Sequence, residues 1–240
     1  MHLSPNNIKE IINSFKSLYT HKRLNSIICY HNRLIVFSFQ KEQDVIFINL
    51  DNSSPFIFNY QNNLDLVPDT NNFIVELKKY IHKGNLLDID VIENQRIVKF
   101  VFSNTDAFYH HHIYILYIEL IPAHANMVLV NENNQIITSY FKDQKRILFK
   151  GTIYEIDNSN KLYENDSFNL DEYMSKCSES LANQKLIHHK EKYKVIYRLA
   201  KRKEKTLKKK KESIIEEVKL DEYRLNYIEH GKEILSRIYE

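Results

Sequence analysis

Residues 113–140 read IYILYIELIPAHANMVLVNENNQIITSY, and this stretch decides the class of fold. β-Branched and aromatic side chains fill two runs, 113–121 and 126–131, parted by Pro122 and the small polar residues that follow it. A third run, 135–141, begins just after Asn133-Asn134, a pair that tolerates the positive φ of a tight hairpin turn. The first run carries Glu119 and stops at Pro122, far short of the about 20 apolar residues that span a bilayer. The reading is therefore three consecutive antiparallel strands.

Working upstream, 86–92 and 96–102 have the same alternating character, and a short strand is expected at 152–156 after Gly151. Ahead of this block the period is 3.6. Phe73, Ile74, Leu77, Tyr80 and Ile81 make one stripe of a helix over 71–82, with Asp69 or Thr70 as its cap and Gly84 as a left-handed terminator. Farther upstream, 24–30, 33–40, 44–50 and 56–58 read as strands with polar breaks at His31-Asn32 and at 41–43. A first helix, capped by Ser4 or Asn6 with Pro5 in its first turn, runs to about Tyr19 on the stripe Ile8, Ile11, Ile12, Phe15 and Leu18.

Downstream of a polar loop at 157–168 the pattern turns helical and stays so. Leu207, Lys211, Ile214, Val218, Leu225, Ile228 and Leu235 follow three-four spacing, with Lys211 and Asp221 interrupting the stripe. A helix from Tyr193 to Leu235 would be roughly 60 Å long at 1.5 Å per residue, so a coiled-coil partner or self-association is expected. The expected fold class is α+β: a two-layer β-rich domain with flanking helices over 1–160, then a basic helical arm over 170–240.

Composition narrows the function. Three glycines in 240 residues cannot write the glycine-rich phosphate cradles of dinucleotide-binding or P-loop sites, and no cofactor is expected. Two separate cysteines, Cys29 and Cys177, form no disulfide framework and favour a reducing compartment. The first 20 residues hold no uninterrupted apolar segment of a signal peptide, so a cytoplasmic location is expected. The net charge of +3 conceals its distribution: residues 185–211 carry +11, whereas residues 1–184 and 212–240 each carry −4. Lys201, Arg202, Lys203, Lys205 and Lys208, Lys209, Lys210 and Lys211 would fan around a helix and neutralise RNA phosphates.

Other clusters carry less. His110 and His112 fall on one face of an extended strand and His111 on the other, without the ligand spacing of a metal site, so no metal is expected and a loop role is. His188-His189 adds charge to the basic segment at low pH. Asp88, Asp90 and Glu93 lack a nucleophile or a histidine partner, and no catalytic residue is assigned. Tyrosine and phenylalanine on alternating strand positions are read as core.

The ordered strings FIVELKKYIHKGNLLDID (73–90), NQRIVKFVF (94–102), YIELIPAHANMVLVNENNQII (117–137) and RILFKGTIYEI (146–156), with DEYRLNYIEHGKEIL (221–235), resemble the NFACT family. It includes the RqcH-type ribosome quality-control factors and proteins named for fibronectin binding. All three glycines, Gly84, Gly151 and Gly231, fall on that pattern, and a positive φ is expected to explain their retention. The resemblance implies a fold like the N-terminal domain of formamidopyrimidine-DNA glycosylases. It does not carry their chemistry, because Pro5 is internal and the chain starts Met1-His2-Leu3.

The resemblance further implies binding of tRNA and the large ribosomal subunit, with an Asp-Arg pair and a Glu-Ile-Met segment at the tRNA contact. Here those positions read Gln95-Arg96 and Glu119-Leu120-Ile121. The arginine keeps its bidentate donors while glutamine replaces a carboxylate with a neutral amide, so altered tRNA discrimination is expected. Full alanine tailing by this chain alone is not, since it stops before the distal coiled coil and the C-terminal RNA-binding domain and carries no helix-hairpin-helix insert. The alternatives are a fibronectin-binding surface adhesin and a truncated coiled-coil scaffold.

Overall fold

The computed structural model describes residues 3–30, 33–61, 68–106, 108–142, 146, 148–156 and 167–238, without side chains at 184–189 and 191–192. The turn expected at His31-Asn32, the loop at 157–166 and the side chains of His188 and His189 lie outside the described residues. The chain divides into two units, Met1–Lys185 and Leu186–Glu240.

The first unit opens with α1 (Pro5–Tyr19), capped by the Ser4 hydroxyl, which accepts from the Asn7 N–H, with Pro5 at its start. Strands β1 (Leu24–Tyr30), β2 (Leu34–Phe39), β3 (Asp44–Asn49) and β4 (Phe56–Gln61) follow, and they pair in chain order as one antiparallel sheet. After α2 (Asn72–Ile81), strands β5 (Asn85–Val91), β6 (Ile97–Thr105), β7 (His111–Glu119), β8 (Asn126–Asn131) and β9 (Ile136–Ser139) form a second antiparallel sheet, again in chain order. Helix α3 (Leu170–Ile238) begins in this unit.

The sheets share one core in which Phe37 of β2 meets Phe100 of β6, ring centroids 6.2 Å apart. The α1 stripe of Ile8, Ile11, Ile12 and Phe15 is fully buried in it; Leu18, expected on that stripe, is exposed. Alternation along the second sheet sends Phe100, Leu116, Ile118, Met127 and Leu129 to this core. Ile97, Tyr117, Val128 and Val130 point to the opposite face, where Leu148 and Tyr154 cover them. The start of α3 is built into the body: Tyr173, Cys177 and Leu181 are buried, and the Tyr173 hydroxyl donates to the Ile57 carbonyl of β4 at 2.8 Å. Burial raises the Tyr173 hydroxyl well above its ordinary pKa and pushes the Cys177 thiol up to about 12, so neither is ionised near neutrality.

Several local expectations change. The cap of α2 is Asn71, whose Oδ1 accepts from the Phe73 N–H at 2.8 Å, so neither Asp69 nor Thr70 holds that place. Lys83, with φ 65°, makes the left-handed step after α2. Gly84 is needed for space instead: a Cβ there would lie 2.7 Å from the Ser103 carbonyl oxygen. Gly151 does have a positive φ, 90°. Gly231 lies inside α3 with open space around it, so no backbone reason for glycine exists there. In place of a strand at 152–156 there is an isolated bridge between Gln135 and Ile153.

Candidate nucleic-acid interface

The two segments singled out in the sequence come together through the β6–β7 register. Gln95 and Arg96 form the end of the β5–β6 turn, where Asn94 takes φ 55°. Ile97 pairs with Glu119, and the Leu120 N–H donates to the Arg96 carbonyl at 2.8 Å. Gln95 and Arg96 are half-buried, as is Ile121, while Leu120 is in the core.

Glu119 is fully buried, and its carboxylate is committed inside the protein. The Arg146 guanidinium donates to both of its oxygens, Nη1 to Oε2 at 2.6 Å and Nη2 to Oε1 at 2.5 Å, and the Tyr154 hydroxyl donates to Oε1 at 2.6 Å. Such bidentate, charge-assisted pairing offsets the large cost of burying a carboxylate. The Glu119 hydrogen bonds and attraction keep Arg146 charged, while burial and the same carboxylate raise the Tyr154 hydroxyl. Tyr154 also stacks on Tyr117, centroids 4.6 Å apart. Glu119 therefore locks the segment carrying Arg146 and Tyr154 over the second sheet.

Neither partner was singled out by sequence reasoning, although both lie in the string 146–156. A lone arginine and a lone tyrosine about 30 residues from an acidic strand end reveal no pairing until the chain folds.

Beside this lock is a cavity of about 210 Å³ lined by Asn52, His124, Asn126, Phe141, Lys142 and Arg146, among others. Its walls come mostly from loops, Asn52 between β3 and β4 and residues 123–125 between β7 and β8, joined where the Ala123 N–H donates to the Asn52 carbonyl at 2.7 Å. Asn126 is buried and clamps Phe141: its amide nitrogen donates to the Phe141 carbonyl at 3.0 Å, and its oxygen accepts the Phe141 N–H at 2.9 Å. The Arg33 guanidinium lies 6.0 Å from the centre of the Phe141 ring. Asn52, Asn126, Lys142 and Arg146 share the lining with Ala123, Ala125 and Phe141, and Arg146 and Asn126 are already engaged by Glu119 and the Phe141 backbone.

At the β6–β7 tip, Asp106 organises the histidines. Its Oδ1 accepts the N–H groups of Phe108 and His110, and its Oδ2 lies 3.1 Å from His112 Nε2 and 3.4 Å from His110 Nδ1. The described residues contain no group of three or more acidic, histidine or cysteine side chains able to hold a metal ion.

The second unit is the continuation of α3. Lys201, Arg202, Lys203, Lys205 and Lys208–Lys211 are all exposed. Within that set the ion pair Lys208–Glu204 closes at 2.9 Å, and the Lys201 ammonium lies 5.7 Å from the centre of the Tyr197 ring. No helix among the described residues is long and apolar enough to cross a membrane.

Two stacked antiparallel sheets with flanking helices, followed by a charged helix, define an α+β module of the kind seen at the N-terminus of bacterial fibronectin-binding proteins. The N-terminal domain of fibronectin-binding protein PavA from Streptococcus pneumoniae is similar at a TM-score of 0.61 and 19% identity, over 74% of this chain and 72% of that one. The fibrinogen binding protein from Staphylococcus aureus is similar at 0.57 and 18%, over 65% of this chain and 56% of that one. The N-terminal part of the fibronectin/fibrinogen-binding protein from Streptococcus suis is similar at 0.57 and 17%, over 72% and 65%. Residues 7–190 match the model of the NFACT N-terminal and middle domains, and the chain belongs to that family. No curated protein matches the sequence.

Proposed function

We propose that this chain binds structured RNA, with tRNA and the large ribosomal subunit as its targets, and that the basic part of α3 supplies the affinity. The observation that carries this reading is the exposed cationic run 201–211, on a segment of charge +11 in a chain whose total is +3. Phosphate neutralisation by such a run releases counterions, so binding weakens steeply with salt. In the body, Arg96 presents a cation beside the Glu119–Ile121 segment. Gln95 supplies no carboxylate next to it, so this turn distinguishes among tRNAs less sharply than an Asp-Arg pair would.

The test is co-sedimentation of the protein with large ribosomal subunits, and filter binding of tRNA, across a salt series. Reversing Lys208–Lys211 to glutamate should flatten the plot of log affinity against log salt by about 0.7–0.9 for each phosphate that is no longer neutralised. Absence of binding at low salt, or a slope indifferent to the reversal, overturns the reading.

A second reading is binding of fibronectin, favoured by the names of the similar structures. Titration of fibronectin at physiological salt separates the two: saturable binding that survives the lysine reversal supports the adhesin reading and not the RNA one.

A further inference from the structure

The end of the β6–β7 hairpin carries an aromatic strip that neither function proposed above uses. Phe108, His110, His112 and Tyr114 occupy alternate positions, and their successive ring centroids lie 6.4, 6.5 and 6.0 Å apart. Tyr80 of α2 closes the row, 5.4 Å from Tyr114. The strip runs from half-buried tyrosines at its base to Phe108, which is 79% exposed. Its tip is held in place: the Asp106 carboxylate accepts the N–H groups of Phe108 and His110, and the Asp106 N–H donates to the His110 carbonyl at 3.0 Å. A braced turn that presents a phenylalanine to solvent is preorganised for contact.

The charges along the middle of the strip have one sign. Asp106 faces both His110 and His112. Burial leads in raising the Tyr114 hydroxyl, and Tyr80, Asp106 and Glu132 add to it, so carboxylates act on this ring from the tip and from the β8–β9 turn. His111 belongs to the other face of the hairpin, its Nδ1 3.1 Å from the Thr105 hydroxyl. On the α2 side Lys79 is ion-paired with Glu76, and Lys83 is exposed past the helix end.

We propose that this strip binds an extended, arginine-bearing segment of a protein partner, with guanidinium groups stacked on Phe108 and Tyr114 beside the two carboxylates. The face of an aromatic ring attracts cations, and a guanidinium is planar and weakly hydrated, so it stacks there with little loss. Side chains on one face of an extended peptide repeat about every 6.6–6.8 Å, close to the spacing of the rings, so arginines at alternate positions reach successive members of the row. A nucleic acid laid on the same strip would bring its phosphates against Asp106 and Glu132, which disfavours it.

Titration calorimetry of the 240-residue protein with a heptapeptide of alternating arginine and threonine, at low salt and about pH 7.5, tests the assignment. Saturable binding is expected, weakened about two- to fivefold by Phe108→Ala and weakened also by Glu132→Lys, both at exposed positions. The peptide with glutamate in place of arginine should not bind. Lowering the pH to about 5.5 should weaken binding of the arginine peptide, because histidine gains protons over that range and the strip then repels guanidinium. Absence of saturable binding, or an affinity indifferent to both substitutions, overturns the proposal. An oligouridylate that binds in a Phe108-dependent manner and tightens at acid pH overturns it too, assigning the strip to single-stranded RNA. The lysine reversal in α3 reads the RNA function at a different place, so loss of either reading leaves the other standing.

Discussion

Helix α1 and the distal part of α3 carry the same kind of apolar stripe and meet opposite fates. Ile8, Ile11 and Phe15 of α1 have no exposed surface, whereas Leu207 and Leu225 of α3 are 59% and 63% exposed. The spacing that makes a helix amphipathic is thus separate from whatever covers it. In the body two sheets are at hand to take up the stripe; in the second unit the described residues offer no such face. The comparison also separates two uses of charge, since Glu119 and Arg146 direct theirs at each other while Lys201, Lys203, Lys205 and Lys208–Lys211 are exposed to solvent.

The sharpest way to break that contrast is to remove one partner of the buried pair. Arg146→Met leaves the Glu119 carboxylate without its bidentate partner and should cost about 3 kcal/mol of the stability of the first unit, read as a drop in urea midpoint. Lys208→Met, at an exposed pair, should shift it by less than about 0.5 kcal/mol. Equal effects would mean that Glu119 finds another partner.

The glycines sharpen the contrast further. Gly84→Ala drives a methyl group against the Ser103 carbonyl and should destabilise the body by about 1–3 kcal/mol. Gly231→Ala has open space in a helix and should stabilise α3 by up to about 1 kcal/mol, visible as helicity retained at higher temperature. A destabilising Gly231→Ala would show that the helix is covered there.

The smallest effect is expected at the β6–β7 tip. Hydrogen bonds from the His110 N–H and the His112 ring lead in holding the Asp106 carboxylate at a pKa of about 2. The folded value lies below the ordinary one of about 3.9, so the contribution is complete above that value and is lost as pH falls toward 2. Hydrogen exchange at the Phe108 and His110 amides should accelerate over that window relative to β8 amides, and Asp106→Asn should flatten the difference.

Much of the fold was legible from particular residues. Alternation in 113–140 announced the last three strands of the second sheet, Pro122 the break between the first two of them, and Asn133-Asn134 the last hairpin. Ser4 announced the first helix. The site was legible in part: Arg96 and the Glu119 segment were marked in advance, but Arg146 and Tyr154 were not, because their meaning is a contact across about 30 residues of chain. Gly84 was noticed for a conformation that Lys83 takes instead, since the need for space at residue 84 is created by a carbonyl 19 positions away.

By itself the sequence determined which segments alternate, which spiral, and where the positive charge accumulates, because these depend on side-chain type and spacing along the chain. Only the tertiary structure decided that Glu119 is a buried lock and Gly84 a point of close approach. Those roles depend on distances between residues remote in sequence, which are set when the sheets pack.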